Sequence, residues 1–290
     1  MGSGLEDPHV KIQRLAAATI IAGFAAVFAL APASAQKPRK DMKIGLQLYT
    51  VRDDCAKDLP GVLKAVSKMG YSGVEFAGYY GRSAQELRAM LDEDHLKCYG
   101  THIGLDTLMG ENLVKTVEFN KVLGNTMLIV PWIPEERRSS KEKIIETAKL
   151  FTDIAAKLKP YGMTLGYHNH MDEFKPVDGE EPYYTFFDHA GKDVVVQFDI
   201  GNAMEGGAQA APYIRRYPGR VRSVHVKDSS KTNKQALLGE GDVKWDEVLP
   251  LILGPAGTKY FIIEQESYAY PPLVCAEKCL RNFEKMLAAR

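Results

Sequence analysis

Eight short apolar runs alternate with eight amphipathic segments between Lys43 and Ala289, and this alternation limits the chain to very few architectures. The runs are KIGLQLY (43–49), GVEFAG (73–78), KCYGTHIG (97–104), TMLIVPW (126–132), MTLGYHNH (163–170), VVVQFDIGNA (194–203), VRSVHVKD (221–228) and KYFIIEQES (259–267). Each is short, rich in β-branched and aromatic residues, and apolar throughout its body, as expected of a strand covered on both faces. Between them lie helical patterns at 59–70, 83–94, 111–123, 141–160, 182–190, 208–217, 243–253 and 272–289. Gly70 stops the first helix, and Ser83 is the expected N-cap of the second.

Strand and helix in strict alternation require a parallel sheet with helices on its outer faces. Eight such units in roughly 250 residues suit a closed (β/α)8 TIM barrel of one domain. An open dinucleotide-binding sheet is the rival. No Gly-x-Gly-x-x-Gly follows the first strand, which argues against it.

The first 35 residues differ from the rest. Lys11 and Arg14 precede the run Leu15–Ala31, and Ala33-Ser34-Ala35 offers small residues for cleavage. That order predicts a secretory signal peptide over 1–35, with extra residues at its start, and a domain over 36–290. The expected location is periplasmic or secreted, with no membrane attachment once the signal is removed. Cys55, Cys98, Cys275 and Cys279 form no Cys-x-x-Cys pair, so they are expected to be free thiols. The 37 basic and 37 acidic residues cancel, so the chain carries no broad field for nucleic acid. A small carbohydrate is a more fitting partner.

In a parallel barrel, chemistry gathers at the C-terminal ends of the strands. Here those ends carry Glu75, His102, His168 with His170, Asp199, His225 with Lys227, and Glu264 with Glu266. Buried acids and histidines are costly unless paired or bound to a metal. His168, Asp199, His225 and Glu264 fall on four neighbouring strands, so they are expected to converge as ligands. Mixed imidazole and carboxylate donors suit one divalent ion such as Mn, Zn, Co or Fe, with Mg also admitted.

The segments GMTLGYHNH, VQFDIGNA, VHVKD, LGEGDVKWDEV and FIIEQE, in that order, resemble the motifs of the xylose-isomerase-like TIM barrel superfamily, specifically its sugar phosphate isomerase/epimerase family. The resemblance spans the chain from IGLQLYTVRDD to the last helix. It implies a single divalent ion held at strands five to eight, with Asp199, His225 and Glu264 among the ligands. The family's strand-five motif often ends Glu-Asn-His, and this chain reads His168-Asn169-His170. A ligating imidazole is a poor base, so His170 is the expected second acid/base alongside Glu264. Lys227 is expected to hold a developing oxyanion. Glu75, His102, Trp132, Glu173, Asn202, Glu240 and Glu266 are the expected substrate contacts.

The resulting expectation is a metal-dependent keto-sugar isomerase or epimerase working by proton abstraction beside a carbonyl. A lyase acting on a keto-inositol or 3-keto-glycoside is the alternative. The apurinic-site endonucleases of the same fold resemble a three-metal, histidine-rich centre, but His9, His95 and His189 lie off the strand ends. Relatives often form dimers or tetramers, so a homo-oligomer is also expected.

Overall fold

All eight apolar runs become strands, each shorter than the pattern predicts. A computed structural model describes residues 41–290, so the expected signal peptide lies outside the described residues. The strands are β1 (Lys43–Gln47), β2 (Gly73–Ala77), β3 (Lys97–His102), β4 (Met127–Val130), β5 (Thr164–His168), β6 (Val195–Asp199), β7 (Ser223–Val226) and β8 (Tyr260–Ile263). They pair in parallel in chain order, and β1 pairs with β8 to close the barrel. The (β/α)8 TIM barrel follows from this closure.

The helices are α1 (Arg52–Met69), α2 (Ala84–Glu93), α3 (Asn112–Leu123), α4 (Lys141–Leu158), α5 (Pro182–His189), α6 (Ile200–Glu205), α7 (Ala210–Arg216), α8 (Trp245–Ile252) and α9 (Pro272–Ala288). Ser83 does cap α2, in a full capping box with Glu86. Strand six was expected to run to Ala203, but the chain turns helical at Ile200. The cause is local: Asp199 Oδ1 accepts the Asn202 N–H at 2.7 Å and so starts α6. None of the helices among the described residues is long and apolar enough to cross a membrane. The four cysteines are free, and Cys55, Cys275 and Cys279 are buried.

Alternation along the strands sorts side chains into two compartments. Leu46, Val74, Phe76, Leu128, Val130, Leu165, Tyr167, Val196, Phe198, Val224 and Val226 belong to the large core with the helices. Met127, Ile129 and Val195 form a separate apolar cluster with Tyr260 packed on it. Within the strands, the polar residues Gln47, Glu75, Gln197, Ser223 and His225 are fully or almost fully buried. A buried polar set of this kind persists only when its hydrogen bonds are complete, and it positions the site.

Candidate metal centre and active site

Glu75 anchors the polar set. Its Oε1 accepts Gln47 Nε2 at 2.8 Å and His225 Nε2 at 2.7 Å, and His102 Nε2 lies 3.0 Å from it. Gln197 Nε2 donates to Glu75 Oε2 at 2.7 Å and lies 3.0 Å from Ser223 Oγ. A Cβ on Gly100 would lie 2.4 Å from Glu75 Oε2, so only glycine leaves the carboxylate its space.

This network sets the tautomers. Because Gln197 gives its amide N–H groups to Glu75 and Ser223, its Oε1 faces two imidazoles, His102 Nε2 at 2.7 Å and His168 Nδ1 at 3.0 Å. Both of those nitrogens must therefore carry hydrogen. His168 keeps the Nε2 lone pair; His225, whose Nε2 donates to Glu75, would offer Nδ1 to a cation on losing the proton that it shares with Glu264. A metal-binding histidine is typically oriented in this way by an acceptor on its other nitrogen.

The free donor atoms converge. His225 Nδ1 is 3.0 Å from Glu264 Oε2 and 3.6 Å from Asp199 Oδ2, and His168 Nε2 is 3.9 Å from Asp199 Oδ2. Asp199 is completely buried, and its Oδ2 has no hydrogen-bond partner. An orphaned carboxylate oxygen aimed at two imidazoles and a second carboxylate fits a divalent cation. Asp199, His225 and Glu264 thus form one donor group, while His168 groups with His102 and His225 and meets the first group through Asp199.

Without a cation, the charges compensate one another. Burial opposes charge on His225, but Glu264 and Glu75 outweigh it and hold its pKa well above the usual histidine value. Burial would raise the carboxyls of Glu75 and Glu264, yet nearby His102 and His225, and for Glu264 above all Lys227, hold both well below the usual range. Asp199 is lowered in the same way: Lys227, His225 and His168 outweigh its burial. His168 is pushed down by burial and then by the charges of His225 and His102, so it stays neutral.

Above the donors opens a cavity of about 410 Å³, lined by Tyr49, His102, Trp132, His168, His170, Glu264 and Glu266 among others. That size is typical of a small-molecule site. The His170 imidazole has no hydrogen-bond partner among the described residues, and it stands 4.9 Å from the His168 ring. Trp132 is 57% exposed at the rim. Glu266 reaches this cavity while ion-paired to Lys227.

Glu75, Glu173 and Glu240 do not line this cavity, and Asn202 lines the adjoining one. Glu75 was expected on the mouth wall, but β2 runs two residues beyond it, and its buried carboxylate serves the imidazoles instead. Glu173 spends both oxygens on the protein: Oε1 accepts Tyr167 Oη at 2.5 Å, and Oε2 accepts the His170 N–H at 2.7 Å. It therefore fixes the backbone of His170, and it does not line the main cavity. Glu240 is exposed and closes its own turn by accepting the Leu237 N–H at 3.1 Å. Asn202 Oδ1 accepts Lys227 Nζ at 2.9 Å, and Asn202 Nδ2 donates to the Asn169 carbonyl.

Lys227 lines an adjoining cavity, with Nζ 3.8 Å from Asp199 Oδ2 and 3.7 Å from Glu264 Oε2. Burial alone would lower its pKa, but Asp199, Glu264 and Glu266 raise it, so it stays charged. A Cβ on Gly201 would lie 2.6 Å from Lys227 Cγ, so glycine there admits the side chain. Three residues were missed by sequence reasoning: Gln47, Gln197 and Asn169. The first two were legible as polar residues inside apolar runs. Asn169 clamps the β6 backbone by accepting the Asp199 N–H at 2.9 Å and donating to its carbonyl at 3.0 Å.

The family model described as "Xylose isomerase-like TIM barrel" matches residues 63–283. The chain belongs to that family. The rhizopine catabolism protein MocC of Rhizobium meliloti is 23% identical, over 86% of this chain and 89% of its own length. A sugar phosphate isomerase/epimerase from Parabacteroides distasonis superposes with a TM-score of 0.72 at 22% identity, covering 89% of this chain and 97% of that one. The probable 3-DHS dehydratase AsbF of Bacillus anthracis, involved in petrobactin synthesis, gives a TM-score of 0.64 at 14% identity, covering 83% of this chain and 99% of that one.

Proposed function

We propose that the protein is a divalent-metal-dependent isomerase or epimerase of keto-sugars. The observation that carries this reading is one cavity in which an unpartnered imidazole, His170, and the buried carboxylate Glu264 border the same converging donor set. His168, Asp199, His225 and Glu264 would hold the ion; it would supply Lewis acidity to a carbonyl oxygen and so acidify the adjacent C–H. His170, whose ring has no hydrogen-bond partner among the described residues, takes the proton. Glu264 exchanges it on the other side of the carbon through the oxygen that does not face His225. Lys227 offsets the charge of Asp199 and Glu264, and His102 holds a substrate hydroxyl. Trp132 gives the sugar ring an apolar face.

A lyase reading is favoured by His168. With an imidazole at that strand-five position, only one carboxylate is free to act as a base. Elimination needs one base and one acid: a C–H bond breaks, a C=C bond forms, and the departing oxygen takes a proton. His170 and Glu264 suffice for that.

We read residues 1–35 as a signal peptide, so the mature enzyme is exported; N-terminal sequencing of protein from its host would find Gln36 first. The reaction is tested with keto-sugars in D₂O and the purified protein supplemented with Mn²⁺. Deuterium in a recovered isomer supports isomerisation, and an unsaturated product or released aglycone supports elimination. No exchange in wild type, or equal exchange in His170→Asn, refutes the proton-transfer assignment.

A further inference from the structure

A second cavity, of about 160 Å³, adjoins the main one. The two share His170 and Glu266 as walls, so these side chains stand at the junction between them. The second cavity is lined by Asn202 and Glu205 of α6, by Ser229, Ser230, Asn233 and Lys234 of the loop after β7, and by Gln265 and Ser267 after β8.

We propose that this cavity is a subsite for an uncharged, hydroxyl-rich, ring-sized unit joined to the reacting sugar. The substrate class is then a keto-glycoside of at least two units, neither a lone monosaccharide nor a sugar phosphate. This rests on the keto-sugar reading above.

Size, lining and charge each support it. A cavity of about 150 Å³ is known to accept a six-membered ring. Apart from Met171 and Ala236, the lining is made of amides, hydroxyls and charged groups, which suits the hydroxyls and the C–H face of a sugar. Among the described residues, Lys234 and Glu205 have neither a hydrogen-bond nor an ion-pair partner, so one free donor and one free acceptor are offered together. A phosphate would meet the carboxylates of Glu205, Asp228 and Glu266 against two lysines, and Lys227 is already committed to Asn202 and Glu266. Repulsion therefore disfavours an anion.

The loop is also preformed. Asp228 Oδ1 accepts the N–H groups of Ser229 and Val243, and its Oδ2 accepts those of Gly239 and the Trp245 indole at 2.8 Å each. Trp245, at the start of α8, thus tethers the subsite wall. A wall fixed in advance lowers the ordering cost of binding.

The test is calorimetric titration of the Mn²⁺-supplemented protein with glucose, glucose 6-phosphate and a panel of α- and β-linked disaccharides of glucose. The expected result is at least one disaccharide binding tenfold or more tightly than glucose. In the double variant Glu205→Gln, Lys234→Ala, made at exposed positions, that ratio should fall to within about twofold of one. The proposal is overturned if every disaccharide binds no better than glucose, if the ratio survives in the variant, or if glucose 6-phosphate binds best. The titration reads binding alone, so a failure of the deuterium experiment, which tests the chemistry, is separable from a failure here.

Discussion

Replacing Glu75 with Gln tests whether the acid at the barrel centre orients a metal ligand or touches substrate. Its Oε1 accepts two N–H groups, from Gln47 and His225, with His102 Nε2 3.0 Å away, and its Oε2 accepts one from Gln197. A glutamine amide loses least by turning its nitrogen toward Gln197. Gln197 cannot flip in response, because its Oε1 already receives His102 and His168. One buried donor is left facing another, which costs about 1–3 kcal/mol of stability.

The effect on the ion adds to this. Removing the carboxylate weakens His225 both as a ligand and as a base, so proton and metal binding fall together. A dication feels the lost charge about twice as strongly as a proton does, so the net change is weaker metal binding. Loss of such an orienting partner typically costs about 10–100-fold in affinity, or about 1.4–2.7 kcal/mol. Chelator competition with Mn²⁺ or Zn²⁺ measures the affinity, and thermal denaturation of the metal-free protein measures the stability. A substrate contact would instead raise KM and leave metal affinity within twofold. That outcome would refute the assignment of Glu75 as the residue that orients His225.

Asp199→Asn should keep the cap on α6 through its remaining oxygen, while the orphaned Oδ2 loses its charge. Metal content measured after dialysis should fall from about one ion per chain toward none, with the fold intact by circular dichroism. Cysteine labelling gives the pH dependence. Burial raises the Cys55 thiol to about 11 and Cys279 to about 12, so their thiolates are scarce at pH 8. Native protein should therefore react slowly with Ellman's reagent at pH 8 and faster as pH rises toward 11, whereas denatured protein should show all four thiols at once. Fewer than four would mean a disulfide. Trp132→Ala removes an exposed rim side chain, so Tm should hold while KM rises several-fold at unchanged kcat; a loss confined to kcat would count against ring stacking.

The fold was legible because eight apolar runs with helical patterns between them leave almost no other closure. The grouping of Asp199, His225 and Glu264 was legible for a related reason: they end consecutive strands, and parallel pairing brings neighbouring strand ends to one side. Depth was not legible. Whether an acid stands at the rim or below it depends on how far its strand continues, and GVEFA runs on past Glu75 where the polar residue invites an earlier stop. Glu173 and Glu240 were misplaced for another reason: a loop acid accepts the nearest free backbone N–H, and no periodicity marks which one that is. Gln197 carried a signal in VVVQFD, since an amide in the middle of a fully buried strand must have partners across the barrel.

His168 also takes on a different meaning in this network. Glu75 and Ser223 turn the Gln197 amide so that its oxygen faces β3 and β5, and an oxygen there demands donors. His102 and His168 supply them. A glutamate at 168 would set acceptor against acceptor in a buried space. The departure from Glu-Asn-His is therefore matched to Gln197 and His102, and is part of a coordinated set. Its chemical consequence follows from charge. Two imidazoles and two carboxylates donate less negative charge to an ion than a set with a third carboxylate, so more of its electrophilic character is left for a carbonyl oxygen. The proton transfer that a glutamate at 168 would perform passes to His170, whose backbone N–H is held by Glu173 while its ring is left free. On the proposed function, ligation and proton transfer are thereby divided between two histidines two residues apart.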